Sequence, residues 1–157
     1  MFMRSVRLSV LLLLAAPLVA RAQGSINVVA TTEDLGSIAR EIGGDKVSVT
    51  ALAKGYQDPH FVDPKPSFIL AMSRANVMVV VGRELEIGWL PPLLTSSRNG
   101  KIQPGGNGYL DASLNVKILE IPTGQITRAM GDVHPLGNPH YWQIGRASCR
   151  ERVYVLV

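Results

Sequence analysis

The chain has 157 residues, 46% of them hydrophobic and 18% charged, and its 15 glycines and 10 prolines are scattered, which excludes disordered, collagen-like and repeat architectures. The formal charge of +4 sits at the two ends, because residues 23–143 hold ten Lys and Arg against eleven Asp and Glu, a balance of −1. The body therefore has no electrostatic basis for a nucleic-acid partner.

The first element is an export signal. Met1 to Arg7 carries two arginines, Leu8 to Val19 is apolar apart from Ser9, and Ala20-Arg21-Ala22 places small residues where a signal peptidase cuts. A run of about 12 apolar residues is too short for a membrane span, which needs roughly 20. The reading is a signal peptide over residues 1–22, cleaved after Ala22, with a periplasmic product. No cysteine lies near the cut, so a lipid anchor is not expected.

The body alternates strand and helix patterns. Ile26 to Thr31 is a short β-branched run expected to be a buried strand. Thr31 or Thr32 then caps a helix with Glu33 and Asp34 in its first turn, a face of Leu35, Ile38, Ala39 and Ile42, and a stop at Gly43-Gly44. A second strand is predicted over Val47 to Leu52, a polar loop over Lys54 to Lys65, and a helix from Pro66 or Ser67 to Ala75. Val77 to Val81 is apolar throughout, as in a central strand covered on both faces. A third helix is placed around Ile87 to Ser97, with Pro91-Pro92 making it start late or bend, and a fourth strand over Val116 to Glu120. Pro104 to Gly108 reads as a flexible turn, since no Lys-Ser/Thr follows it as in a phosphate cradle. Glu84 and Glu86 read as a solvated acid pair, and Trp89 and Trp142 as packing residues.

From Ile144 the sequence has neither strand alternation nor a helical stripe, and Ile144 to Val153 resembles the in-frame translation of a sequencing-adapter oligonucleotide. Residues 144–157 are accordingly expected to be a foreign tail, and Cys149, the only cysteine, is not expected to be functional. The expected working unit is residues 23–143, a parallel α/β layer whose ligands bind beyond the carboxyl ends of the strands.

The three histidines of the body all lie in loops and all adjoin a proline: His60 in Asp58-Pro-His-Phe, His134 in Val-His-Pro, and His140 in Asn138-Pro-His-Tyr. Imidazole is the commonest nitrogen ligand of zinc and related ions, and a proline-stiffened loop presents it at low entropic cost. Asp-Pro-His-aromatic and Asn-Pro-His-aromatic share a local form, as if each loop offers one ring to a common point. The 80 residues between His60 and His140 fit no local metal motif, so spacing alone leaves a shared site open. His134 reads as more exposed to solvent than ligating.

Residues 26–142 resemble the N-terminal lobe of the zinc- and manganese-binding proteins that serve bacterial metal ABC importers. The resemblance is carried by Ile26-Asn-Val-Val-Ala-Thr-Thr, the Asp58-Pro-His loop, the Leu85-Glu-Ile-Gly-Trp segment and Asn138-Pro-His-Tyr, in that order. It implies a four-stranded parallel sheet flanked by helices, with His60 and His140 as ligands to Zn2+ or Mn2+. It also implies further ligands, usually a His or Glu and an Asp or Glu, from a second α/β lobe that this sequence lacks, so the chain is expected to be truncated. The implied partner is a membrane permease, and the expected state is a monomer.

Two functions stay in play. One is a non-catalytic carrier of zinc, with manganese next, and the other is a metal-dependent hydrolytic enzyme built on a two-His site. The enzyme lacks a general-base carboxylate in a recognisable motif and any nucleophile constellation, which favours the carrier.

Overall fold

The computed structural model describes residues 24–127 and 133–142; the expected signal peptide and tail both lie outside them. Four strands, β1 (Ile26–Ala30), β2 (Val47–Ala51), β3 (Val77–Val80) and β4 (Tyr109–Asp111), alternate with helices α1 (Glu33–Gly43), α2 (Pro66–Ser73) and α3 (Leu90–Ser97). The sheet is parallel throughout in the order β2-β1-β3-β4, as expected for this fold class. The order reverses between β1 and β3, and that is where a parallel sheet opens a crevice at its carboxyl edge.

The apolar runs of β1 and β3 supply both faces. Val29, Met78 and Val80 pack with Leu52, Met72, Trp89, Leu93 and Ile102 under α2 and α3. Val28, Ala30, Val79 and Val81 pack with Leu35 and Leu85 on the opposite face, beneath α1. The carboxyl-terminal parts of the two central strands, Val28 to Ala30 and Met78 to Val80, are therefore covered on both sides, which explains why they show no polar alternation.

Three expectations change here. The fourth strand is Tyr109–Asp111, paired Met78↔Tyr109 and Val80↔Asp111, and not Val116 to Glu120. Residues 104–108 are its lead-in: Gly106 N–H donates to Gln103, Gly108 N–H to Lys101, and Met78 N–H to the Gly108 carbonyl. With that edge filled, residues 116–120 run outside the ladder, and a three-residue strand is too short for period 2 to reveal.

The contact line of α1 also differs. Leu35 is buried and Ala39 packs, but Ile38 and Ile42 are 51% and 83% exposed. A Cβ on Gly36 would stand 3.2 Å from the Ala51 methyl, and one on Gly43 would strike Val47. The helix lies close on β2 through its glycines, which turns the isoleucines toward the rim. Thr32 caps this helix, its Oγ1 accepting from Leu35 N–H. In α3 the two prolines sit in the first turn, where the missing N–H groups cost nothing, and the helix starts late at Leu90.

The third change concerns Glu86, which is 4% exposed rather than solvated. Its carboxylate bridges the ends of β1 and β3: Oε1 accepts from Thr31 Oγ1 at 2.6 Å and Val81 N–H at 2.7 Å, and Oε2 from Gly82 N–H at 3.2 Å. Burial raises the Glu86 pKa, and those hydrogen bonds oppose it only partly. The crevice of the sheet is thus closed from below by an internal carboxylate, and the loops above it carry the histidines.

Candidate metal centre

The two Pro-His loops are built alike. In the first, Asp58 Oδ1 accepts from the His60 backbone N–H at 3.0 Å, and in the second, Asn138 Oδ1 accepts from the His140 N–H at 2.8 Å. Each is a turn in which a short polar side chain caps the backbone two residues on, and proline between them fixes the angle. The shared form read in the sequence is therefore a shared geometry.

Separate anchors aim the loops. Trp89, buried in the core, donates its Nε1–H to the Pro59 carbonyl at 2.9 Å and so ties the first loop to the start of α3. Tyr141 donates its hydroxyl to the Val81 carbonyl at 2.8 Å, which pins the second loop to the end of β3. Burial pushes the Tyr141 pKa up to about 12, so that hydroxyl keeps its proton. Residues 118–121 back the same loop, where Asn138 N–H donates to the Leu119 carbonyl at 2.9 Å and its amide to Glu120 Oε2 at 2.8 Å. Gly137 makes this possible: its φ is +88°, and a Cβ there would meet the Leu119 carbonyl at 2.9 Å and run into Ile118.

The loops bring three rings together. His60, His134 and His140 each offer a ring nitrogen, and these atoms lie within 4.8 Å of one another. The His60 ring centroid is 5.0 Å from that of His134 and 5.1 Å from that of His140. His134 is half-buried and stacked on His60, not turned to solvent as expected. Two nitrogens on a tetrahedral zinc at 2.0–2.1 Å stand about 3.3 Å apart, so small ring movements turn this cluster into a coordination shell.

Protonation of the rings follows from their partners. His60 Nδ1 is 2.6 Å from Asp58 Oδ1, and its Nε2 is 3.0 Å from His134 Nε2. When neutral His60 donates Nδ1–H to the carboxylate, its lone pair lies on Nε2 and His134 supplies the proton between the rings. Backbone and ring hydrogen bonds from His60 hold the Asp58 pKa below the usual carboxylate range. Burial, with the neighbouring His60 and His134, lowers that of His140 and favours the neutral, donating form.

Residues 28–144 match the family described as zinc-uptake complex component A, periplasmic, or ZnuA. The chain belongs to that family. Among its relatives, the manganese ABC transporter substrate-binding lipoprotein PsaA of Streptococcus pneumoniae serotype 4 is 29% identical over 146 residues, covering 86% of this chain and 44% of that protein. The metal ABC transporter substrate-binding lipoprotein FimA of Streptococcus parasanguinis is 30% identical, over 77% of this chain and 37% of that protein. A crystal structure of ZnuA aligns with a TM-score of 0.54 and 25% identity, over 75% of this chain and 39% of that one. A manganese-bound periplasmic metal-binding protein from Candidatus Liberibacter asiaticus shares the fold at a TM-score of 0.54 and 19% identity, over 73% and 37%.

The chain thus spans 37% to 44% of the length of these relatives. Their names describe binding components of transporters and not enzymes, and they include both a zinc-uptake and a manganese protein. Several are lipoproteins, whereas the only cysteine here, Cys149, lies outside the described residues.

Proposed function

We propose that this chain is the metal-capturing lobe of an extracytoplasmic solute-binding protein that delivers a divalent ion to the permease of an ABC importer. The observation that supports it is the convergence of three imidazoles from two anchored loops above the carboxyl edge of a parallel sheet. His60 and His140 are the principal donors, and His134 is placed to add a third. Zinc ranks ahead of manganese because the assembled donors are all imidazole nitrogens, which suit zinc, whereas manganese prefers carboxylate, carbonyl and water oxygen. Residues 1–22 direct export to the periplasm, residues 144–157 are foreign to the fold, and a second lobe of the longer protein supplies the remaining ligands.

Calorimetric titration of the full chain tests the site. Zinc should bind with modest affinity for want of the other lobe, and His60→Ala or His140→Ala should remove most of that binding. Zinc affinity unchanged in both variants would refute the assignment, and manganese binding as tightly as zinc would reverse the order of metals. Mass spectrometry of the exported protein should find Gln23 at the N-terminus, and retention of Met1 would refute cleavage.

A further inference from the structure

The two ligand loops make the same turn but treat their rings differently. Asp58 Oδ1 caps the His60 backbone and also holds the ring, 2.6 Å from Nδ1. Asn138 caps the His140 backbone only; its amide is taken by Glu120, and among the described residues His140 Nδ1 is buried with no hydrogen-bond partner. The second loop shows that the turn requires no carboxylate, since an amide oxygen makes it at 2.8 Å. A carboxylate at position 58 therefore answers to the ring and not to the backbone.

We propose that Asp58 is a positioning residue for the metal, holding His60 with Nδ1–H on the carboxylate and Nε2 toward the ion, so that His60 is the pre-set ligand and His140 the adjustable one. The proposal rests on the reading of His60 and His140 as ligands. A carboxylate behind a metal-bound imidazole selects the tautomer, fixes the ring plane and strengthens the donor nitrogen, and its loss commonly weakens binding 10–100-fold. Here the Asp58 side chain is 58% exposed, so water screens its charge and the effect belongs at the lower end, about tenfold. The 18% exposure of the His60 side chain and the Trp89 bond to Pro59 keep the loop in place when the carboxylate is changed. His140 pays no such constraint: its ring is held at the backbone and by contact with Trp142, 5.6 Å between centroids, and can turn to complete the shell.

Two substitutions in the full chain separate ring from turn. Asp58→Ser keeps a capping oxygen too short to reach the ring, and Asp58→Asn keeps the oxygen and removes the charge. In the metal-free protein, nitrogen NMR of His60 should show the proton on Nδ1, and Asp58→Ser should replace this with a mixture of tautomers and weaken zinc binding about tenfold. Asp58→Asn should lie between, at about threefold. Both variants should melt with the parent. If Asp58→Ser melts lower, Asp58→Asn decides, since Asn138 already makes the same turn. An unchanged His60 tautomer with zinc affinity within twofold of the parent in the folded variant overturns the proposal. Zinc binding that ignores His60→Ala would overturn instead the reading beneath it.

Discussion

Replacing Glu86 by alanine tests whether the floor of the site is as important as its rings. The carboxylate is 4% exposed and accepts three hydrogen bonds, two of them from backbone N–H groups at the end of β3 and one from Thr31 at the end of β1. Alanine leaves the Thr31 and Val81 donors buried without an acceptor, each costing about 1–3 kcal/mol, and the half-buried Gly82 N–H less, while relief of the buried carboxylate returns part of that sum. The expected net loss is about 3 kcal/mol, which for a domain of this size lowers the melting temperature by roughly 10 °C. Zinc affinity should fall with it, because Tyr141 anchors the His140 loop on the neighbouring Val81 carbonyl. The sign with pH is also determined. The folded pKa of Glu86 is raised, so the group favours the folded state most below its unfolded value, and that contribution is lost as pH rises through the folded pKa. Glu86→Gln cannot titrate, so the stability of the parent relative to this variant should decline across that interval and then level off. Denaturant melts from pH 4 to 8 measure both effects. An alanine variant within 0.5 kcal/mol of the parent, or a difference from the glutamine variant that grows with pH, would refute this account of the crevice.

Two further substitutions probe the loops. Gly137→Ala forces a side chain into a φ of +88° and against Ile118 and the Leu119 carbonyl, and should cost about 2 kcal/mol while loosening zinc binding, as read by denaturant melts and calorimetry. Trp89→Phe keeps the ring in the core but removes the 2.9 Å bond to Pro59, and should cost about 1 kcal/mol with a few-fold loss of zinc affinity. Affinity unchanged in both variants would mean that the loops hold their histidines without these anchors.

What was readable in the sequence was whatever a local pattern determines. The β-branched runs of β1 and β3, the threonine and acids at the start of α1, and Pro66 at the start of α2 specify elements through neighbours a few residues away, and the structure agrees with them. The Asp-Pro-His and Asn-Pro-His elements belong to the same class, because a capping oxygen two residues before the histidine is a local device. The misreadings all involve partners distant in the chain. Glu86 looks solvated until Thr31, 55 residues away, is placed against it. The isoleucines of α1 look buried until Gly36 and Gly43 let the helix settle on β2 through its small side. Val116 to Glu120 is a plausible strand by its residues, yet Tyr109–Asp111 already fills the edge of β3.

His134 is the instructive case. Its motif reverses the others, with the proline following the histidine, so it lacks the Pro-His form that marks His60 and His140. It reaches the site because Gly137 N–H donates to its carbonyl at 3.1 Å, closing a turn that brings residue 134 back over the His140 loop, and because residues 118–121 hold that turn from behind. A third imidazole thus joins the cluster through the folding of a loop in which only His140 carries the Pro-His form. Donor number decides how tightly a site holds an ion, so in the proposed capture step the residue least legible in the sequence should matter, and His134→Ala should weaken zinc binding in the same titration.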